Sequence, residues 1–480
     1  MTVGNALQAT IGLEVHVQLS TESKIFCSCS TEFGRPPNSN ICPICLGYPG
    51  TLPVLNKGVV EKAIKAALAL NCHLADFSKF DRKNYFYPDL DKAYQISQFD
   101  LPLAKNGYLE LDEDQGGIRV RINRIHLEED AGKLLHHPGS SESLVDYNRS
   151  GVPLIEIVTE PDLHTPAQAH AYLGNLKEIL EYLEVSDCNM EEGSLRCDAN
   201  ISMAPAESET LGTKTELKNM NSFSAIERGL EYEIKRQTEL LERGGKIVQD
   251  TRAWDDQRGE TFSMRSKEEA HDYRYFPDPD LVPLICEEEW IEDLRAQLPE
   301  LPAVRRERFE RQYELPEYDA RVLTSSRRLA DFFEEAVKAF PQPKEVSNWV
   351  MGDFLRLVKE EEMDFEQLKI SGEQLAELLQ LMEDGTISGK IGKEVLEASF
   401  KSGDSPQDIV EERGLVQISD RDNLLPVIEE VLAENEEAAD DYRSGKKKAM
   451  GFLVGQAMKK TRGQANPQLV NQLLREMLDS

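Results

Sequence analysis

Apolar residues never run on for the ~18 uninterrupted positions that a membrane-crossing helix needs, so the sequence offers no span. The opening stretch MTVGNALQATIGLEVHV lacks a basic leader with an apolar core, and lacks an Arg-rich amphipathic pattern. A cytoplasmic, unprocessed protein is the expectation, with no membrane partner. Cations are scarce: 55 Lys and Arg face 87 Asp and Glu, a net charge of −32. Such an acidic chain repels polyanions in bulk, which argues against DNA and leaves only a local basic contact for any nucleic acid. No GxxxxGK[ST] phosphate loop is present and no GxGxxG follows a strand, so a nucleotide site must be of another kind. Internal repeats and low-complexity segments are missing as well.

What remains is an ordinary globular balance, 40% hydrophobic and 30% charged, in 480 residues. That length suits about three domains. From residue 9 to residue 286 short apolar runs alternate with turn residues, and helical periodicity is confined to stretches such as 57–70 and 166–183. This is the pattern of an α+β domain. From about 299 to 400, Leu, Glu, Lys, Arg and Ala recur at helical spacing. A polar Gly/Ser/Pro patch at 401–406 reads as a linker or helix start. The small helical unit after it ends in a helix that starts at Asn466-Pro467, an N-cap followed by Pro at the first helical position.

Four of the eight cysteines are grouped. Cys27-Ser28-Cys29 and Cys42-Pro43-Ile44-Cys45 supply four thiolates for a tetrahedral Zn²⁺, a structural one because no position stays open for chemistry. The alternative is four ordinary cysteines, or a redox pair. Cys72, Cys188, Cys197 and Cys286 are scattered and read as buried thiols.

The strand at 11–19 carries Leu13, Val15 and Val17 on one face, with Gly12, Glu14, His16 and Gln18 on the other. Glu128-Glu129-Asp130 follows a strand-like run, and Glu156 interrupts the apolar run 152–158. Carboxylates with one histidine are donors for Mg²⁺ or Mn²⁺; a solvated sheet face paired with Arg or Lys is the other reading. Beyond the turn at Gly193, Arg196, Asp198 and Asn200 share one face, a set able to hold phosphate and metal. Arg82 and Lys83 stand beside Tyr85, Phe86 and Tyr87. Between 442 and 462 the charge reverses: Arg443, Lys446, Lys447, Lys448, Lys459, Lys460 and Arg462 meet no acid. This is either a contact for a folded RNA read by shape or a solvated helix face.

IGLEVHVQL, KFDRKNYFYPDLDKAYQISQFD, HLEEDAGK, NRSGVPLIEIVTEPD, EEGSLRCDANIS, TELKNMNSF, DYRYFPDPDL and KKAMGFLVGQAMKKTRGQANPQLVNQLL occur in this order. Together they closely resemble, over the whole chain, the B-subunit family of the glutamyl/aspartyl-tRNA amidotransferases. The resemblance implies a cradle-shaped mixed-sheet catalytic domain at 1–294, an all-α helical domain at 295–403 and a small all-α, tRNA-binding tail domain at 404–480. It implies use of ATP and Mg²⁺ to phosphorylate the side-chain carboxylate of Glu or Asp on a mischarged tRNA. Ammonia from a glutaminase A subunit then yields the amide, within a heterotrimer completed by a small C subunit. By the resemblance Glu14, His16, Glu129 and Glu156 bind the metal, and Arg196, Asp198, Asn200 and Lys83 serve the nucleotide. Cys27, Cys29, Cys42 and Cys45 match the zinc-bearing branch, and the tail cations contact tRNA. The chain carries no defensible glutaminase nucleophile, so ammonia must come from elsewhere.

Overall fold

A computed structural model describes residues 6–136, 142–208, 210–264, 272–363, 365–416, 420–461 and 463–479. The chain forms two compact units, residues 1–301 and 302–480.

The first unit is built on a mixed sheet of nine strands: β1 (Leu7–Gln18), β2 (His73–Leu74), β3 (Ala104–Glu110), β4 (Arg119–Glu129), β5 (Pro153–Thr159), β6 (Leu195–Pro205), β7 (Thr215–Lys218), β8 (Asp250–Asp255) and β9 (Glu260–Ser263). Their order across the sheet is β9-β8-β7-β6-β1-β5-β4-β3-β2. Only β7 and β8 pair in parallel, and every other neighbour in this sheet is antiparallel. The first strand thus lies in the middle, flanked by strands about 140 and 180 residues further on.

Alternation along β1 decides which face is wet. Leu13, Val15 and Val17 are buried and share one core with α1 (Lys57–Ala69), α2 (Pro166–Tyr182) and α3 (Phe223–Glu242). The intervening Glu14, His16 and Gln18 fall on the opposite face, as their period of two requires. Helix α2 starts where Thr165 and Gln168 form a capping box with Pro166 behind them. A second, three-stranded sheet joins Asp81–Asn84, Tyr94–Ser97 and Phe276–Pro277.

The second unit is helical, in agreement with the α+β reading of the whole. It holds two hydrophobic cores, one running from Phe309 to Val410 and one from Leu424 to Leu478. Ser405 and Pro406 cap a helix, Pro406–Arg413, whose Ile409 and Val410 turn back into the earlier core. The last helix begins as read: the Asn466 side chain accepts from the backbone N–H groups of Gln468 and Leu469.

Candidate active site

Strand register assembles the site. Across the sheet His16 lies opposite Glu156 on one side and Arg196 on the other; Glu156 in turn lies opposite His126. Two residues along, Glu14 faces Asp198. Donor atoms of Glu14, His16 and Glu156 lie within 4.8 Å of one another, as do those of His126, Glu128 and Glu156. His16 Nε2 is 3.3 Å from Glu156 Oε2 and 3.4 Å from Glu128 Oε1. His126 Nε2 is 3.4 Å from Glu156 Oε2 and 3.5 Å from Glu128 Oε2. Glu156 therefore sits between two histidines, with Arg124 Nη2 3.3 Å from its other oxygen.

Electrostatics follow from this crowding. Burial opposes a charged His16, yet its hydrogen bond to Glu156 and the charges of Glu128 and Glu156 prevail and raise it to about 9. Burial would raise Glu156, but His126, His16 and Arg124 together hold it well below the usual carboxylate range. Glu14, at the edge of the cluster, is raised by burial and then by the Glu156 charge.

Glu129, expected here from HLEED, is not among these donors. Its carboxylate turns the other way and accepts from Lys92 Nζ at 2.6 Å and the Ile96 N–H at 2.9 Å. The acid that joins the cluster is its neighbour Glu128. A bulge explains the exchange. Val120 and Ile122 point into the core, and so do Ile125 and Leu127. The register shifts where Val158 pairs with Arg124 and Thr159 with Ile122, so one extra residue resets the alternation. His126 was missed for the same reason: simple alternation from Val120 gives it to the core.

The expected nucleotide residues share the open face of β6. Arg196 Nη2 is 3.0 Å from Asp130 Oδ1, and Gln18 donates to the other Asp130 oxygen at 2.9 Å. Arg196 Nε and Asn200 Oδ1 are buried without a hydrogen-bond partner among the described residues. Asp198 accepts from Lys218 at 2.5 Å. Lys83 lies on another element, the strand Asp81–Asn84, with its ammonium 4.8 Å from the Tyr273 ring centre and 5.8 Å from that of Tyr85. Tyr85 and Tyr275 are each pushed up by burial and next by the Glu128 charge, which sets both beside the acidic cluster. Asn84 and Arg82 hold the segment carrying Tyr273 and Tyr275, through its carbonyl oxygens and through Asp278 and Asp280. The motif DYRYFPDPDL flagged this segment, but no local signal tied it to Glu128.

The four cysteines Cys27, Cys29, Cys42 and Cys45 converge, their sulfurs all within 4.8 Å of one another. The Cys42 N–H donates to Cys45 Sγ at 3.1 Å. Hydrogen bonding from the Cys27 thiol, against the effect of burial, lowers Cys45 to about 5. This donor set fits a Zn²⁺ ion. Beside it lies a cavity of about 300 Å³, lined by Lys24, Cys45, Tyr48, Arg82, Lys92 and Glu129 among others.

In the tail, Lys446 pairs with Asp441 at 2.8 Å, and Lys460 pairs with Glu430 and Glu434 at 2.8 and 2.7 Å. Acids lying outside the basic stretch, one of them only five residues away, thus answer two of the expected cations. Lys447, Lys448 and Lys459 are exposed, and Arg462 lies outside the described residues. Among the described residues no helix is long and apolar enough to cross a membrane.

Residues 9–292 match the family described as the GatB/GatE catalytic domain, and residues 331–478 match that described as the GatB domain. The B subunit of the aspartyl/glutamyl-tRNA(Asn/Gln) amidotransferase of Caldanaerobacter subterraneus subsp. tengcongensis is 60% identical over 471 residues, 98% of this chain and 99% of that protein. The protein of the same name in Carboxydothermus hydrogenoformans is 60% identical over 474 residues, 98% of each chain. In Brevibacillus brevis the figure is 56% over 473 residues, 98% of this chain and 99% of the relative.

Proposed function

Since the chain belongs to the GatB/GatE catalytic-domain family over residues 9–292, we propose that it acts as the B subunit of a tRNA-dependent amidotransferase, converting aspartyl- or glutamyl-tRNA to the amide. The observation that carries the chemistry is the meeting of Glu14, His16 and Glu156 with His126 and Glu128 on one open sheet face. A purely RNA-binding role would leave those side chains scattered.

The reaction has two balanced halves. The side-chain carboxylate of the tRNA-borne Glu or Asp takes the terminal phosphoryl group of ATP, and ADP leaves. Ammonia then attacks the acyl carbon, the C–O bond to phosphate breaks, and the amide, phosphate and a proton result. In the first half two anions must meet, so positive charge has to be supplied. Glu14, His16 and Glu156, with His126 and Glu128, would hold Mg²⁺, which when bound supplies that charge. Arg196, steadied by Asp130, carries a buried Nε–H without a hydrogen-bond partner among the described residues, and its guanidinium suits a phosphate oxygen. Asp198, Asn200 and Lys83 would serve the nucleotide with it. Ammonia comes from a glutaminase A subunit, with a small C subunit completing the heterotrimer. Lys447, Lys448 and Lys459, with Lys446, Lys460 and Arg462, serve the tRNA contact, and a structural Zn²⁺ holds the cysteine knuckle.

The test compares Glu128→Gln with Glu129→Gln in the chain reconstituted with its A and C partners, ATP, Mg²⁺ and labelled Glu-tRNA(Gln), with free ammonia as donor. Glu128→Gln is expected to lose conversion by about a hundredfold in a chain that still folds. Glu129→Gln leaves Lys92 buried without its carboxylate, and its main effect is a loss of about 3–5 kcal/mol of stability. The opposite pattern, a stable but inactive Glu129→Gln beside an active Glu128→Gln, would return the metal site to Glu129.

Cation binding should depend on pH with a definite sign. His16, raised to about 9, is protonated at pH 7, and a metal takes only the neutral ring. Binding therefore expels a proton, and affinity for Mn²⁺ is expected to rise about tenfold per pH unit from 7 to 9 and then level. Calorimetric titration at several pH values reads this directly. A flat affinity would remove His16 from the ligand set.

A further inference from the structure

Lys24 has no exposed surface at all. Among the described residues its ammonium has one polar partner, Cys45 Sγ at 3.8 Å, and no carboxylate within ion-pair distance. That is an unusual place for a cation. Burying an ammonium costs several kcal/mol, and a single sulfur 3.8 Å away, even as a thiolate, repays little of it. Four thiolates around Zn²⁺ change the sum, since the ion and its ligands carry a net charge of about −2. The stranded cation and the excess anion then satisfy one another.

The surroundings fix Lys24 in this position. Its N–H donates to the Cys29 carbonyl at 3.0 Å, and the Ile25 N–H to the Gly151 carbonyl at 3.0 Å. Gly151 adopts φ +80°, and a Cβ there would meet the Lys24 stem at 3.5 Å and Cys45 at 3.6 Å. The lysine thus lies between the knuckle and the turn that leads into β5, the strand carrying Glu156.

We infer that Lys24 is the charge-compensating residue of the four-cysteine zinc site, a positioning residue that holds the metal-thiolate cluster against the Gly151 turn. This rests on the zinc reading above. Where the metal is bound the ammonium stabilises; where it is absent the same ammonium is a liability.

The experiment measures zinc content, zinc loss to a chromogenic chelator, and melting temperature, for wild type and Lys24→Met. Methionine keeps the unbranched stem and approximate length, so packing is conserved while the charge goes. Absence of zinc in purified wild type refutes the zinc reading and, with it, this inference. With zinc present, Lys24→Met is expected to release it about 10–100-fold more readily and to melt lower than wild type. After chelation the order is expected to reverse, with Lys24→Met melting higher than zinc-free wild type. Zinc release at the wild-type rate, or no reversal, overturns the role of Lys24 and leaves the zinc site standing. Should Lys24→Met fail to fold, Lys24→Arg decides: zinc retention within about threefold of wild type supports a need for charge, and release as fast as from a Cys29→Ser variant overturns it.

Discussion

Replacing Glu156 with glutamine is expected to lower amide formation by about two to three orders of magnitude while leaving the fold in place. Glu156 is the one carboxylate shared by both donor groups, and it touches His16, His126 and Arg124. An amide of the same shape keeps the strand. Its neighbours Ile155 and Ile157 are fully buried and hold β5 in register. What disappears is the anion on which the two histidines converge. Conversion should fall equally with glutamine or free ammonia as donor, since the missing step precedes attack by ammonia. Glutaminase activity of the partner in the absence of tRNA should be untouched. Activity within about threefold of wild type, in a variant with an unchanged melting curve, would mean that the cluster is structural.

Removing zinc is the second large effect. Cys42→Ser, or chelation of the wild type, is expected to cost about 3 kcal/mol or more, a fall in melting temperature of about 5–10 °C. Residues 33–39 are exposed throughout. Apart from the cysteines, what ties them down comes from 145–148: Asn38 donates to Asp146 and to the Val145 carbonyl and accepts from the Tyr147 N–H, and the Asn148 amide donates to the Arg35 and Pro36 carbonyls. With the sulfurs released, proteolytic cleavage should appear first in this stretch. Cys72→Ser, whose thiol is buried away from the group, should retain zinc in full. A chelated protein that melts and resists protease as before would leave the four sulfurs without a metal role.

Much of this was legible locally. The period of two in β1 put Glu14 and His16 on the open face, and the same argument set Arg196, Asp198 and Asn200 side by side on β6. C-x-C and C-x-x-C located the four sulfurs. The acidic pair in HLEED was a different matter, because alternation cannot be counted through a bulge whose existence depends on the partner strand. Likewise nothing near Lys24 in the chain announces a buried cation; it becomes one only when Cys45 folds over it. Of the two readings of 401–406, the helix start holds, since Ser405-Pro406 opens a helix, but the local sequence does not say which core that helix joins. Only the docking of Ile409 and Val410 shows which one it joins.

By itself the sequence determined the class of fold, the faces of β1 and β6, the spacing of the four grouped cysteines and, through its long motifs, the family. Tertiary structure decided which strands are neighbours, and therefore that His16, Glu156 and His126 form one row across three strands. It also turned Glu128 toward His16 and His126 and Glu129 toward Lys92, and matched Lys446 and Lys460 with acids. The physical reason is one of range: side-chain direction is set by torsions within a strand, whereas strand pairing and charge compensation are set by contacts with other segments of the chain, which local sequence does not reveal.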